Sequence, residues 1–196
     1  MPTPRLPQTA WAVLGLLSFP GERTGYELKK WADASLRFFY GAPAFSQIYA
    51  ELRRLEELGY VTSRRSGPEE PRAKRTYAIT GEGRAALDSW AADTDDPGAV
   101  SLKHPVLLRV WLGHLAEPER LCALVAEHIE HTEGELSDVR EALAKTDGVE
   151  AWAHPQIALR WSERRLVAEV ELARGMLADL LALRPRQPAT DAPTHG

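Results

Sequence analysis

The first eighty residues change their hydrophobic period once, and that change restricts the available folds more than any other feature of the chain. Three stretches read as helices in succession, each stopped by glycine or proline, and two strand-forming segments follow them. The first stretch runs from Gln8 to Ser18 and is apolar through most of its middle, until Pro20-Gly21 stops it. Thr24-Gly25-Tyr26-Glu27 has the spacing of a capping box, in which hydroxyl and carboxylate each satisfy an amide of the first turn. A second helix is therefore expected from Thr24 to about Ser35. Gly41-Ala42-Pro43 punctuates again, and a third helix is expected over Phe45 to Leu58, ended by Gly59 as a left-handed cap. Leu52, Leu55 and Leu58 recur every third residue and are expected to face the core.

Tyr60 to Ser63 and Thr76 to Thr80 are rich in strand formers, with the polar turn Ser66 to Pro71 between them, so a β-hairpin follows the third helix. Thr80 is placed to cap a fourth helix running to about Ala92. Asp93 to Gly98 is the most linker-like segment of the chain, and a domain boundary is expected there. Everything beyond it reads as helix: about Leu102 to Leu115, then Pro118 to Lys145, then Pro155 to Leu183. In the last of these, Leu166, Val170, Ala173, Leu177 and Leu180 alternate steps of four and three, the seam of a coiled coil and the expected dimerisation face. A single amphipathic helix packed on its own domain fits the same spacing. The expected organisation is thus a domain over residues 8–92, an α-helical dimerisation and effector domain over 99–183, and proline-rich disordered tails at 1–7 and 184–196.

Helix, helix, helix, hairpin is the order of a winged helix-turn-helix, in which the third helix enters the major groove and the hairpin lies along the backbone. The expected class is therefore mainly α with a small β-hairpin, a winged helix-turn-helix followed by a coiled-coil-like helical domain. Charge divides in the same sense: residues 1–90 carry 13 basic against 10 acidic side chains, and residues 91–196 carry 11 against 18. Near the start of the third helix, Ser46, Gln47 and Tyr49 offer hydrogen-bonding groups for base edges or phosphates, with Arg53 one turn on. The hairpin carries Arg64, Arg72, Lys74 and Arg75, cations on both strands suited to phosphate neutralisation.

The strings Ala12 to Leu17, Thr24 to Leu28, Ser46-Gln47-Ile48-Tyr49, Glu51 to Gly59 and Lys74 to Thr80 with Gly83, in this order and spacing, resemble the PadR-like transcriptional regulators. Leu102 to Arg109 and Leu112-Gly113-His114 continue the resemblance more loosely, toward the subgroup with a long helical C-terminal domain that includes virulence-gene activators. The resemblance implies a homodimeric winged-helix regulator, usually a repressor, on a pseudopalindromic double-stranded operator near its own or a neighbouring gene. It places Tyr49 on the recognition-helix tyrosine and Tyr77 on the wing tyrosine. Relatives with short C-terminal parts often bind flat aromatic molecules between dimer-facing helices. Plain packing is the first reading of the tryptophans here, and Trp90 and Trp111 are the candidate residues if a small aromatic effector is bound. One departure stands out: Ala44-Phe45-Ser46 lacks the N-cap hydroxyl with which many relatives begin the third helix.

Other chemistries find little support. His128 and His131, with Glu127 and Glu130, share a helix face, but a further metal ligand would have to come from elsewhere, so no metal is expected. Cys122 sits among apolar residues and reads as a buried thiol, while His104 and His114 form no pattern. Gly81-Glu82-Gly83 opens no nucleotide fingerprint and no nucleophile motif appears, so neither a cofactor nor an enzyme activity is expected. The longest apolar run, Trp11 to Leu17, is far short of the ~20 residues of a membrane span, and the first residues lack the features of a signal peptide. A cytoplasmic, DNA-associated protein is expected. A protein–protein module whose winged helix no longer binds DNA remains the alternative, kept open by the acidic C-terminal half.

Overall fold

The computed structural model describes residues 6–65, 74–93, 100 and 102–183. Contacts divide the chain into two units, one of Met1–Ala99 with Glu141–Ser162, the other of Val100–Arg140 with Glu163–Gly196. A division at one point near residue 98 therefore does not describe the chain, because 141–162 group with the N-terminal unit. The expected linker lies outside the described residues beyond Asp93, as do the C-terminal tail and all but the end of the N-terminal one.

In the first unit the order is α1 (Gln8–Leu17), β1 (Arg23–Thr24), α2 (Gly25–Ala34), α3 (Phe45–Glu57), β2 (Val61–Arg65), β3 (Arg75–Ile79) and α4 (Gly81–Ala91). The apolar α1 is buried along most of its length and forms the centre of the core with Leu28, Ile48, Leu52, Leu55, Val61 and Tyr77. Each such leucine, fully withdrawn from water, contributes about 1.5–3 kcal/mol. The capping box at α2 is formed in both directions: Glu27 N donates to Thr24 Oγ1 at 3.2 Å, and Thr24 N donates to Glu27 Oε2 at 2.7 Å. Leu58, expected in the core, is 42% exposed, because α3 ends at Glu57 and Gly59 turns the chain away at φ 74°.

The hairpin is one strand richer than expected. The sheet order is β1-β3-β2, all antiparallel, with Arg23 opposite Tyr77 and Ser63 opposite Tyr77 on the other side. Two residues are too few to show an alternating pattern, so β1 had no sequence signal of its own. At the other end of β3, Thr80 Oγ1 accepts from Gly83 N at 3.0 Å and donates to Gly59 O at 2.7 Å, which caps α4 and ties it to the end of α3. Gly83 is required there, since a Cβ would stand 2.1 Å from the Tyr60 carbonyl oxygen.

The second unit holds α5 (Pro105–Trp111), most of α6 (Pro118–Thr146) and most of α7 (Ala153–Ala182). The helix expected over 102–115 stops at Trp111 and gives way to a 3-10 turn at Gly113–Leu115. Here α6 and α7 run antiparallel, pinned by Arg140 to Glu163 at 2.8 Å and Arg174 to Glu133 at 2.6 Å. That pairing corrects the dimer seam. Leu166, Val170 and Ala173 are 1%, 5% and 0% exposed within the single chain, and Leu177 and Leu180 are half-buried. The four–three spacing therefore marks residues already buried inside the chain, as Val125, Thr132 and Val139 of α6 are. Among the described residues no helix is long and apolar enough to cross a membrane.

Candidate nucleic-acid interface

The exposed first turns of α3 carry Ser46, Gln47, Tyr49 and Arg53 on the surface, while Ile48, Leu52 and Leu55 anchor the opposite face. Ala44 has no side-chain oxygen to cap the helix. Gln47 supplies what is missing, its Oε1 accepting from Ala44 N at 2.8 Å. The expected base reader is thus engaged in holding the helix start, with its Nε2 donor remaining for other partners. Tyr49 is 44% exposed and lies over the start of α2, where its ring occupies the space a Gly25 side chain would fill. Close by, Tyr26 and Phe45 stack with centroids 6.3 Å apart, both exposed.

Recognition helix and wing meet in a small depression lined by Tyr49, Arg53, Glu56, Arg75 and Tyr77. Arg75 donates from Nε to Ser63 Oγ at 2.8 Å and from Nη2 to Glu56 Oε2 at 2.6 Å, and Ser63 Oγ donates to Glu56 Oε1 at 2.5 Å. The Ser63 hydroxyl, helped by Arg75 and opposed by modest burial, holds the Glu56 carboxyl below its ordinary range. A second set mirrors it on the wing's other side. Arg64 Nη2 and Thr76 Oγ1 each donate at 2.8 Å to the two oxygens of Glu22, and the Thr76 hydroxyl foremost holds that carboxyl down.

The predicted contacts thus differ in standing. Ser46, Tyr49, Arg53, Lys74, Arg64 and Arg75 are all exposed, and Arg64 and Arg75 have Glu22 and Glu56 as carboxylate partners. Tyr77 is 5% exposed: its ring belongs to the core, its hydroxyl pushed up by burial, with the Arg75 guanidinium 5.4 Å from the ring centroid. It supports Arg75 rather than presenting a free surface group. Arg54 turns toward Glu51, at 3.4 Å. Arg72 lies outside the described residues. Glu22, Glu56 and Gly25 were not singled out from sequence, since each acquires its role only through a neighbour distant in the chain.

A second feature of the first unit is a cavity of about 430 Å³ lined by α1, α4, the Leu36–Phe38 turn and the start of α7. Trp90 stacks on Trp11 at 5.2 Å, and Phe19 stacks on Trp152 at 5.0 Å. Trp111, grouped with Trp90 from sequence, is 76% exposed on α5 and lines no part of it. The ring partner of Trp90 is Trp11, and Trp152 lines the same cavity.

In the second unit His104, His128 and Glu169 bring three ligating atoms within 4.8 Å of one another. Both imidazole Nε2 atoms lie 2.8 Å from Glu169 Oε1. His104 Nδ1 accepts from Leu107 N at 3.1 Å, so its proton sits on Nε2, where a metal would have to bind. Coordination there would move that proton against the Leu107 amide. The geometry is that of a hydrogen-bonded tie joining the cap of α5 to α6 and α7. Burial pushes Glu169 up, and the hydrogen bonds of His128 and His104 outweigh it, leaving the carboxyl below its ordinary range. His131, Glu127 and Glu130, the other members of the set considered from sequence, are exposed.

The three-helix core, the capped recognition helix and the three-stranded wing define a winged-helix DNA-binding fold. Residues 13–89 match the model of the Transcriptional regulator PadR-like family. Negative transcriptional regulator PadR of Bacillus subtilis is 27% identical over 135 residues, spanning 69% of this chain and 72% of that one. The same B. subtilis protein solved in complex with operator DNA superimposes with a TM-score of 0.75 at 23% identity, over 89% of this chain and 99% of that one. Solved with p-coumaric acid, it gives 0.65 at 22% identity over 87% and 94%. The PadR-like regulator BC1756 of Bacillus cereus gives 0.74 at 25% identity, over 90% and 98%. The Vibrio cholerae virulence activator AphA gives 0.66 at 24%, over 90% and 99%, a likeness of fold. Over residues 13–89 the chain is similar to the PadR-like family of transcriptional regulators, and it shares the fold of the solved PadR structures.

Proposed function

We propose that this regulator acts as a homodimeric repressor on a pseudopalindromic operator near its own or an adjacent gene, in the cytoplasm. The first turns of α3 enter the major groove with Ser46, Gln47 and Tyr49, and Arg53, Arg64, Lys74 and Arg75 lie along the phosphates, with Arg72 of the wing turn in the same role. The observation that carries this reading is the depression shared by Tyr49, Arg53 and Arg75, which puts recognition helix and wing on one continuous surface. The B. subtilis relative, a negative regulator solved on operator DNA, supports the mode of action. Its complex with p-coumaric acid supports an aromatic effector for this chain, in the cavity walled by Trp11, Trp90 and Trp152. Dimerisation falls to exposed apolar residues of the helical unit such as Leu107, Leu108, Trp111 and Leu172, in place of the buried seam.

The test is binding of the purified protein to its upstream DNA and to random competitor, titrated across salt. Salt-steep binding that prefers the upstream fragment is expected. Absence of binding at low salt would replace this reading with a protein–protein module acting through the helical unit.

A further inference from the structure

The effector reading leaves the ligand's chemistry open, and the walls of the cavity narrow it. We propose that the cavity takes a flat, uncharged aromatic molecule and discriminates against aromatic carboxylates, a proposal that rests on the regulator function above. Among the described residues, no charged side chain lines it. All four rings line the cavity, Trp11 stacked on Trp90 at 11° and Phe19 on Trp152 at 19°, so aromatic surface makes up much of its wall. Aromatic faces carry partial negative charge and repel an anion laid against them. A volume of about 430 Å³ falls within the range of small-molecule sites.

The polar groups at its edge are Gln8, Ser35 and Tyr40. Ser35 Oγ donates to Trp31 O at 2.7 Å, which leaves its oxygen as an acceptor, and Tyr40 Oη lies 3.3 Å from Thr9 Oγ1. These groups suit a phenol, an indole or an amide, each of which has a hydrogen to donate. A carboxylate has none, and among the described residues no cation lines the cavity to pair with it. Two arginines nearby are engaged elsewhere: Arg37 lies over the Phe38 ring and Arg84 donates to Ser18 O. Burying an anion without a paired cation is unfavourable whatever the fit of its ring.

The experiment uses the full chain and two ligands that share one ring system and differ in the carboxylate charge and a single methyl group, 4-hydroxycinnamic acid and its methyl ester. Binding is read by tryptophan fluorescence and calorimetry, and release of upstream DNA is followed in parallel. The ester is expected to bind at least about 30-fold more tightly than the acid. Gln8→Arg, a cation added at the exposed rim, is expected to bring the two affinities together by strengthening the acid. Gly15→Leu fills the cavity from α1, where a Cβ meets nothing within 4 Å, and is expected to abolish ester binding while ligand-free DNA binding is kept. Equal or tighter binding of the acid overturns the proposal, and so does the absence of binding by either ligand. Failure to bind upstream DNA before any ligand is added is a separate result, which strikes at the regulator reading and leaves the ligand comparison to be decided by fluorescence.

Discussion

Glu56→Gln isolates the electrostatics of the wing. In the free protein Glu56 bridges Ser63 and Arg75, with side chains 32% and 42% exposed for Glu56 and Arg75. A pair this open contributes about 0.2–1 kcal/mol, so the variant should lose only about 1–4 °C in Tm. Its effect on DNA binding should be larger and of opposite sign. A carboxylate held behind an arginine on a phosphate stands roughly 8 Å from that phosphate, where one unit charge is worth about 0.5 kcal/mol in water and about 2 kcal/mol near a protein surface. Removing it should tighten binding by about 2- to 30-fold at low salt. Arg75→Ala should weaken binding and flatten the slope of log K against log salt by about 0.9, the value for one phosphate contact. Fluorescence anisotropy on an operator fragment at several salt concentrations measures both. If Glu56→Gln weakens binding as much as Arg75→Ala does, the carboxylate orients the arginine instead of competing for it. If Arg75→Ala leaves the slope unchanged, the wing is not on the backbone and the reasoning fails.

Gly83→Ala forces a Cβ against the Tyr60 carbonyl at 2.1 Å, a backbone atom that cannot swing aside, and should lower the unfolding free energy in urea by at least about 2 kcal/mol. Unchanged stability would mean that α4 is free to move away from β2. Gly25→Ala meets the Tyr49 ring at 2.6 Å, a side chain that can rotate, so stability should change by less than about 1 kcal/mol while operator affinity falls. Equal affinity of that variant and wild type would remove Tyr49 from the groove. Glu22, Glu27, Glu56 and Glu169 are all lowered below the ordinary carboxylate value of 4.5, so below that value the unfolded chain takes up protons the folded chain refuses. Their stabilisation is complete above about pH 5 and is lost as pH falls through the folded values, which urea midpoints from neutral to acid pH should follow. Midpoints that stay level to pH 3 would contradict it.

The winged-helix order was legible because its signals are local. Thr24 and Glu27 sit three residues apart, Gly59 follows its helix directly, and Thr80 precedes the helix it caps. What escaped the sequence depends on partners far along the chain. Glu22 reaches Arg64 across 42 residues and Thr76 across 54, and no local pattern marks such a pair. The seam in α7 shows the opposite limit. Its four–three spacing correctly marks a buried stripe, but spacing is the same whether the covering helix is α6 of one chain or α7 of another. Only the burial of Leu166 and Ala173 within the single chain separates the two. Trp90 was found as a residue, but its stacking partner Trp11 lies 79 positions before it, and Trp152, 62 positions after it, lines the cavity in which the exposed Trp111 has no part.

Several of the groups proposed to meet DNA are already hydrogen-bonded in the free protein. Gln47 caps its own helix, Arg64 is held by Glu22, and Arg75 is held by Glu56 and Ser63. DNA binding through them is then an exchange of internal bonds for external ones, and only the difference contributes to affinity. Exchange has a consequence for selectivity. A random duplex offers phosphates that can draw out the arginines, but it offers nothing that replaces the bond Gln47 Oε1 accepts from Ala44 N. An adenine edge positioned for a paired contact does offer a replacement for the glutamine. Gln47→Ala should for that reason affect the two kinds of binding unequally. The helix start loses its cap in both, costing about 1 kcal/mol of stability. Operator binding should weaken by about 10-fold or more while competitor binding changes little. Equal weakening on both DNAs would show that Gln47 matters only as a cap, and the base-reading role would pass to Ser46 and Tyr49.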